Sequence, residues 1–230
     1  MTSSTFGGFQ GIIFDAYGTL FDVASLEHRC AVLTQRSAEF SALWRSKQLE
    51  YSVLRTVMDR YVDFGQVTSD ALDYTATAFG VDLDPVQRRE LMKGWLELSP
   101  FADVRPALER LDRSRQRMGI LSNGTHQMLD PMIRAAGLDA YFDAVLTSER
   151  VQTFKPDPHI YALVPERFHA RMNEMLFVTA NGFDVAGAKA AGFTVCRVNR
   201  VGLPLDPLGY QPDFVVRDLG ELVDQLVADE

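Results

Sequence analysis

Cysteine is almost missing from this chain: Cys30 and Cys196 are the only two in 230 residues. They are too few and too far apart for a disulfide framework or a zinc site, and read as two reduced thiols of a cytoplasmic protein. Long apolar runs are missing as well. None approaches the roughly 20 residues that cross a bilayer, so no membrane role is expected. The opening stretch MTSSTFGGFQ has neither a basic segment nor an apolar core and does not read as a secretion signal. Excess positive charge is absent, since 23 Lys and Arg against 31 Asp and Glu give a net charge of -8. That sign is wrong for nucleic acid or an anionic membrane surface, though one buried arginine would still accommodate a small anionic substrate. His28, His126, His159 and His169 show no metal-ligand spacing. No G-x-G-x-x-G follows a strand-like run. In GFDVAGAK, Ala188 follows the second glycine where a phosphate-binding loop needs lysine. Neither a metal nor a cofactor is expected.

The chain is long enough for one core, or for a core with a smaller insertion. Its most informative stretch is QGIIFDAYGTLFD, residues 10 to 22. Four residues of a short apolar run lead into an aspartate and a glycine turn, the pattern of a buried strand with Asp15 at its C-terminal tip. Further strand-like runs fall at Met118–Leu121, Ala144–Thr147, Met175–Thr179, Thr194–Val198 and Phe214–Val216. Helical patterns lie between them near Arg105–Asp112, Gln127–Ala136, Pro158–Phe168, Phe183–Ala191 and Leu219–Ala228. Strand alternating with helix predicts an α/β fold, a doubly wound parallel sheet. Residues 23–99 break that rhythm and read as a helical insert, with residues 1–22 and 100–230 forming the core. Within the insert, Leu54, Val57, Met58 and Tyr61 recur at the spacing of one helical face. Thr68–Phe79 and Pro85–Leu98 read as two more helices, the second opened by Asp84-Pro85.

Four strand ends carry polar groups: Asp15 with Thr19; Ser122-Asn123-Gly124; Lys155-Pro156-Asp157; and Thr179 to Asp184. Each alone is ordinary, a cap or a turn. Together they stand at one edge of one parallel sheet, where open α/β folds bind ligands. The segments DAYGTLFD, SNG, FKPDPHIY and ANGFDVAGAKAAGF, in that order, resemble the haloacid dehalogenase superfamily. Within it, and including the insert segment SALWRSKQLEYSVLRTVMDRYVDF, the chain resembles the L-2-haloacid dehalogenase branch. That resemblance implies a Rossmann-like core with a helical cap, no cofactor, a small 2-haloalkanoic acid substrate and a homodimer built through the insert.

The resemblance also implies roles. Asp15 would be the nucleophile, with Lys155 and Thr19 holding one of its oxygens aside so that the other attacks. Ser122 would take the substrate carboxylate, and Asn123 and Arg45 the departing halide. Tyr17, Leu49, Phe64 and Phe183 would shape the pocket, and Tyr161 would lie near the substrate. Asp184 would activate water oriented by Asn181 and Thr179. Most superfamily members resemble phosphatases, which protonate an alkoxide from an acid two residues after the nucleophile and use Mg²⁺. Here Tyr17 stands in the acid's place and Asn181 where such a phosphatase would carry an acidic ligand. Halide leaves without a proton, which fits dehalogenation better. A phosphatase, or a member retained only for binding, stays open as an alternative.

Overall fold

The computed structural model describes residues 8–228. Most of the N-terminal stretch read for a secretion signal, residues 1–7, lies outside the described residues. Six strands form one sheet: β1 (Gly11–Phe14), β2 (Met118–Ser122), β3 (Ala144–Thr147), β4 (Met175–Thr179), β5 (Thr194–Val198) and β6 (Phe214–Val216). Their order is β3-β2-β1-β4-β5-β6, with every neighbouring pair parallel. Strand order reverses at β1, and its last residue Phe14 is in register with Ile120 and Val178 on either side. The ends of β1, β2 and β4 therefore come level at the switch point, where such sheets open a crevice.

Alternation along the strands sends Ile12, Phe14, Ile120 and Val178 to one face and Ile13, Leu121, Phe177 and Val195 to the other. The first face is covered by α5 (Val104–Arg113), α6 (His126–Ala135) and α10 (Leu219–Ala228). The second is covered by α7 (Pro158–Tyr161), α8 (Leu163–Phe168) and α9 (Gly182–Ala191). Fully burying a side chain such as Phe14 on one face or Phe177 on the other contributes about 1.5–3 kcal/mol, so both faces hold the strand ends in place. The expected single helix over 158–168 is two. Pro165 has no N–H for the Tyr161 carbonyl four residues back and its ring would strike it, so the helix breaks at Ala162 and restarts.

Four helices stand between β1 and α5: α1 (Glu27–Cys30), α2 (Ser37–Val57), α3 (Phe64–Phe79) and α4 (Pro85–Gly94). Asp84 and Gln87 close a capping box at the start of α4, with Pro85 as its first residue. The helix stops at Gly94, short of the expected Leu98, and the chain tightens into i→i−3 bonds at Trp95, Leu96 and Glu97. The helix expected from Thr68 starts earlier, at Phe64, because the Asp63 side chain accepts from the Gln66 N–H and caps it.

The face of α2 is the larger correction. Leu54, Val57 and Met58 are 44%, 79% and 57% exposed, so their regular spacing does not mark the covered side. The helix instead buries Phe40, Trp44, Gln48 and Ser52, four residues apart, against α3. Two of those four are polar, which hides the buried face from a hydrophobic pattern. Cys30 and Cys196 are both buried free thiols. Burial pushes their pKa values up to about 11 and about 12, with Glu27 and Glu221 adding to the effect.

Candidate active site

Asp15 follows β1 directly, and its N–H still donates to the Val178 carbonyl at 2.9 Å. Gly18, at φ 84, then turns the chain so that Thr19 comes back over the carboxylate. The two carboxylate oxygens are treated differently. Oδ2 accepts from Thr19 Oγ1 at 2.8 Å, Asn181 Nδ2 at 2.7 Å and, at 3.5 Å, Thr179 Oγ1. Oδ1 accepts from Lys155 Nζ at 3.2 Å. Lys155 and Thr19 were expected to hold the same oxygen; they hold opposite ones. The reason is their origin, since Thr19 returns on the β4 side of β1 while Lys155 reaches in from the loop after β3.

Lys155 is buried between two carboxylates, with Asp184 Oδ2 at 2.9 Å completing the pair. Burial works against its charge, but Asp15 and Asp184 outweigh this and hold its pKa above the ordinary lysine value. Asp184, in the first turn of α9, has no exposed surface. Burial raises its pKa to about 6; Lys155 opposes that rise and the neighbouring Asp15 charge adds to it. Its Oδ1 accepts from the Tyr161 hydroxyl at 2.7 Å. Tyr161, expected beside the substrate, thus lies behind the site. One turn of α7 after Asp157 carries its ring into the second core, against Phe177 and Phe193.

A small, tight cavity opens above Asp15. From the core it is lined by Tyr17, Ser122, Asn123, Lys155, Asn181 and Phe183; Arg45 and Leu49 on α2 and Phe64 on α3 complete it. Nearly all the expected pocket residues therefore meet here. Asp184, Thr19, Thr179 and Tyr161 stand outside its wall, packed behind Asp15 and Lys155. Asn181 and Thr179, expected to orient water, bond Asp15 itself, and Thr179 Oγ1 also accepts the Asn181 N–H at 3.1 Å. Asn123 spends its Oδ1 on the Lys155 N–H at 2.8 Å, which leaves its NH₂ for the cavity. Ser122 Oγ accepts from the Gly124 N–H at 3.1 Å and retains its own proton. Gly124 has to be glycine, because a Cβ there would come within 2.8 Å of the Tyr17 ring. His126 sits on the helix surface, its ring against Asp130.

Tyr17 packs between Phe64 and Trp95, and its buried hydroxyl has no hydrogen-bond partner within the protein. Burial raises its pKa above the usual phenol value, Arg45 partly offsetting this, so it is a poor acid. The Arg45 guanidinium lies 6.0 Å from the Tyr17 ring centre and 5.7 Å from that of Trp95. Burial lowers its pKa to about 10, against Asp15 and Tyr17, so it stays cationic at neutral pH. Among the described residues, no three His, Cys, Asp or Glu side chains group closely enough to hold a metal ion. The space between Asp15 and Asp184 already holds the Lys155 ammonium, so this donor set does not suit a resident Mg²⁺.

A sequence profile of haloacid dehalogenase-like hydrolases matches residues 9–192. The chain belongs to that family. The (S)-2-haloacid dehalogenase of Pseudomonas sp. (strain YL) is 43% identical over 94% of this chain and 93% of its own. Haloacetate dehalogenase H-2 of Moraxella sp. (strain B) is 38% identical over 93% of this chain and 96% of its own. The L-2-haloacid dehalogenase of Xanthobacter autotrophicus, solved with chloropropionic acid covalently bound, superposes with a TM-score of 0.89 at 37% identity, covering 95% of this chain and 98% of its own. In this member of the haloacid dehalogenase-like hydrolases, sequence reasoning missed Trp95 beneath Arg45 and Phe154 beside Lys155. Trp95 fell inside the expected helix Pro85–Leu98, where it reads as an ordinary core position. Nothing local marked the second.

Proposed function

We propose that this hydrolase displaces halide from short-chain L-2-haloalkanoic acids, giving D-2-hydroxy acids through an ester on Asp15. The observation that carries the reading is the asymmetry of Asp15. Three side-chain donors face Oδ2, at 2.7, 2.8 and 3.5 Å, whereas Oδ1 meets Lys155 alone, at 3.2 Å. Oδ1 is therefore the freer lone pair and the nucleophile. It attacks C2 from the side opposite the halogen; the O–C2 bond forms as the C2–halogen bond breaks, and the electron pair leaves with the halide. Ser122 takes the substrate carboxylate. Arg45 and the Asn123 NH₂ take the halide, while Leu49, Phe64, Phe183 and Tyr17 enclose the C2 substituent. Residues 23–99 act as a cap, supplying the first halide cation and excluding water that would otherwise solvate Asp15.

Alkylation of Oδ1 turns Oδ2 into the ester carbonyl oxygen. Thr19 and Asn181 then point at the atom that becomes negative when water adds to the Asp15 carbonyl carbon, an oxyanion site formed before substrate arrives. Asp184 takes the proton of that water and returns it to the departing 2-hydroxy oxygen. Ionised Asp15 no longer raises the Asp184 pKa once it is esterified, while Lys155 still lowers it. The base is thus more fully ionised in the intermediate, where it is used. The phosphatase alternative is disfavoured by the Lys155 ammonium between the carboxylates and by the high pKa of Tyr17. The test is halide release from racemic 2-chloropropionate in excess EDTA, with chiral analysis of what remains. Half the substrate should be consumed, all of it L, with D-lactate formed and EDTA without effect. Retention of configuration, equal use of both hands or a Mg²⁺ requirement would refute the reading.

A further inference from the structure

The buried face of α2 presents an amide where a core helix would ordinarily present an apolar side chain. Gln48 has no exposed surface, and a buried amide costs stability unless both its ends are bonded. Both are. Arg45 Nη1 donates to Gln48 Oε1 at 2.5 Å, the three-residue spacing placing the two on one side of the helix. Gln48 Nε2 donates to Thr68 Oγ1 on α3 at 2.6 Å. Thr68, also fully buried, spends its own proton on the Phe64 carbonyl at 2.6 Å, so toward Gln48 its oxygen can only accept. That fixes the amide's polarity. The NH₂ has to face Thr68 and the carbonyl has to face Arg45, because the flipped amide would set donors against the guanidinium. The Trp44 indole N–H donates to the Thr68 carbonyl at 2.9 Å and ties the two helices together at the same point.

Among the described residues no carboxylate lies within 4 Å of Arg45, so its acceptor is neutral. We infer that Gln48 and Thr68 are positioning residues for the leaving-group cation: the Thr68–Gln48 relay aims the Arg45 guanidinium into the cavity without neutralising it. A glutamate at position 48 would have no donor for Thr68 and would compete with the halide for the arginine's charge. This rests on the halide role of Arg45 given under the proposed function.

The test uses the full chain with 2-chloropropionate and 2-iodopropionate, and thermal melting to verify folding. Gln48→Met should lower kcat on the chloro substrate by about tenfold or more with KM changed less than about threefold, since the contact acts in the transition state. The iodo substrate should lose less, because iodide departs with less help. Thr68→Val should act in the same direction and Thr68→Ser should restore turnover. Gln48→Glu should also be slow. In an Arg45→Met background, Gln48→Met should add nothing further, since a residue that works through another is silent once that other is gone. If Gln48→Met does not fold, the Thr68→Val and Thr68→Ser pair carries the test. Normal turnover by Gln48→Met beside a crippled Arg45→Met would overturn the relay. An equal loss in both backgrounds would make Gln48 merely structural. A fully active Arg45→Met would instead remove the premise, and the halide role of Arg45 with it.

Discussion

Replacing Asp184 by asparagine separates the two halves of the proposed reaction. The carboxylate is buried, receives Lys155 at 2.9 Å and Tyr161 at 2.7 Å, and stands outside the cavity wall behind Asp15. Asparagine retains one oxygen acceptor, so the Tyr161 or the Lys155 bond survives, but it cannot take a proton from water. Lys155 keeps Asp15 as its partner, so displacement of halide by Asp15 Oδ1 should remain within about tenfold of wild type, or about 1.4 kcal/mol. Hydrolysis of the ester loses its general base, worth typically 10²–10⁴-fold or about 3–5 kcal/mol. The Asp15 peptide should therefore accumulate a substrate adduct after one halide is released per enzyme, visible by mass spectrometry of a quenched digest. With wild-type enzyme in excess and heavy-oxygen water, first-turnover product should be unlabelled while the Asp15 carboxylate gains label. Label passing directly into first-turnover product, with none on Asp15 and no adduct in Asp184→Asn, would mean that water attacks C2 itself. Both aspartate assignments would then fall.

Three further outcomes follow from the same geometry. Arg45→Lys keeps the charge but loses the planar fork that meets Gln48 and faces Tyr17 and Trp95; turnover of 2-chloropropionate should fall at least about 100-fold, or about 2.7 kcal/mol, and near-normal turnover would remove Arg45 from the site. Asn181→Ala removes the 2.7 Å donor to Oδ2, so single-turnover ester hydrolysis should fall by about 10²–10³-fold, with halide release less affected; the reverse pattern would place Asn181 on the displacement step. In the proposed reaction Asp184 acts as its carboxylate, so hydrolysis should weaken as pH falls. Because esterification removes the Asp15 charge, the midpoint for pre-formed ester should lie below the value of about 6 that holds with Asp15 ionised; a midpoint above it would mean that Lys155 does not control the base.

The strand positions were legible because parallel strands buried on both faces are short apolar runs, and these ended on polar residues at the right edge. Asp15, Ser122, Asn123, Lys155 and Asn181 could be brought to one crevice on that ground, aided by family resemblance. Which oxygen of Asp15 each donor meets was not legible. It depends on side-chain torsions and on Asn181, 166 residues away, and a one-dimensional pattern carries neither. The insert misled for a different reason. At the end of α2, Leu54 and Val57, with Met58 just beyond it, keep helical spacing on the open side, while the covered side is interrupted by Gln48 and Ser52. Periodicity reports that a face is apolar, but not that anything covers it. The polar interruption was the informative feature, since Gln48 lies where the helix is fully enclosed.

Counting charges explains why the site needs groups from both the core and the insert. The Asp15 and Asp184 carboxylates are set against two cations, Lys155 and Arg45, and Asp184 is ionised above about 6. In the proposed reaction, displacement moves one negative charge from Asp15 to the halide, away from Lys155 and toward Arg45, and needs no proton. A single cation could not serve both ends, because it would hold Asp15 most strongly just as the charge had to leave. The two cations are nevertheless mechanically joined. Thr56 near the end of α2 accepts the Phe154 N–H at 3.1 Å, and Phe154 is packed against Tyr61 and Phe64. The residue before Lys155 is thus held by the same helices that carry Arg45 and Phe64. Hydrolysis of the proposed ester would then restore the Asp15 charge and free one proton, which has to go to a base already beside Lys155. Asp184 meets that condition, and a free carboxylate on the cavity wall would not, since it would repel both the substrate carboxylate and the leaving halide.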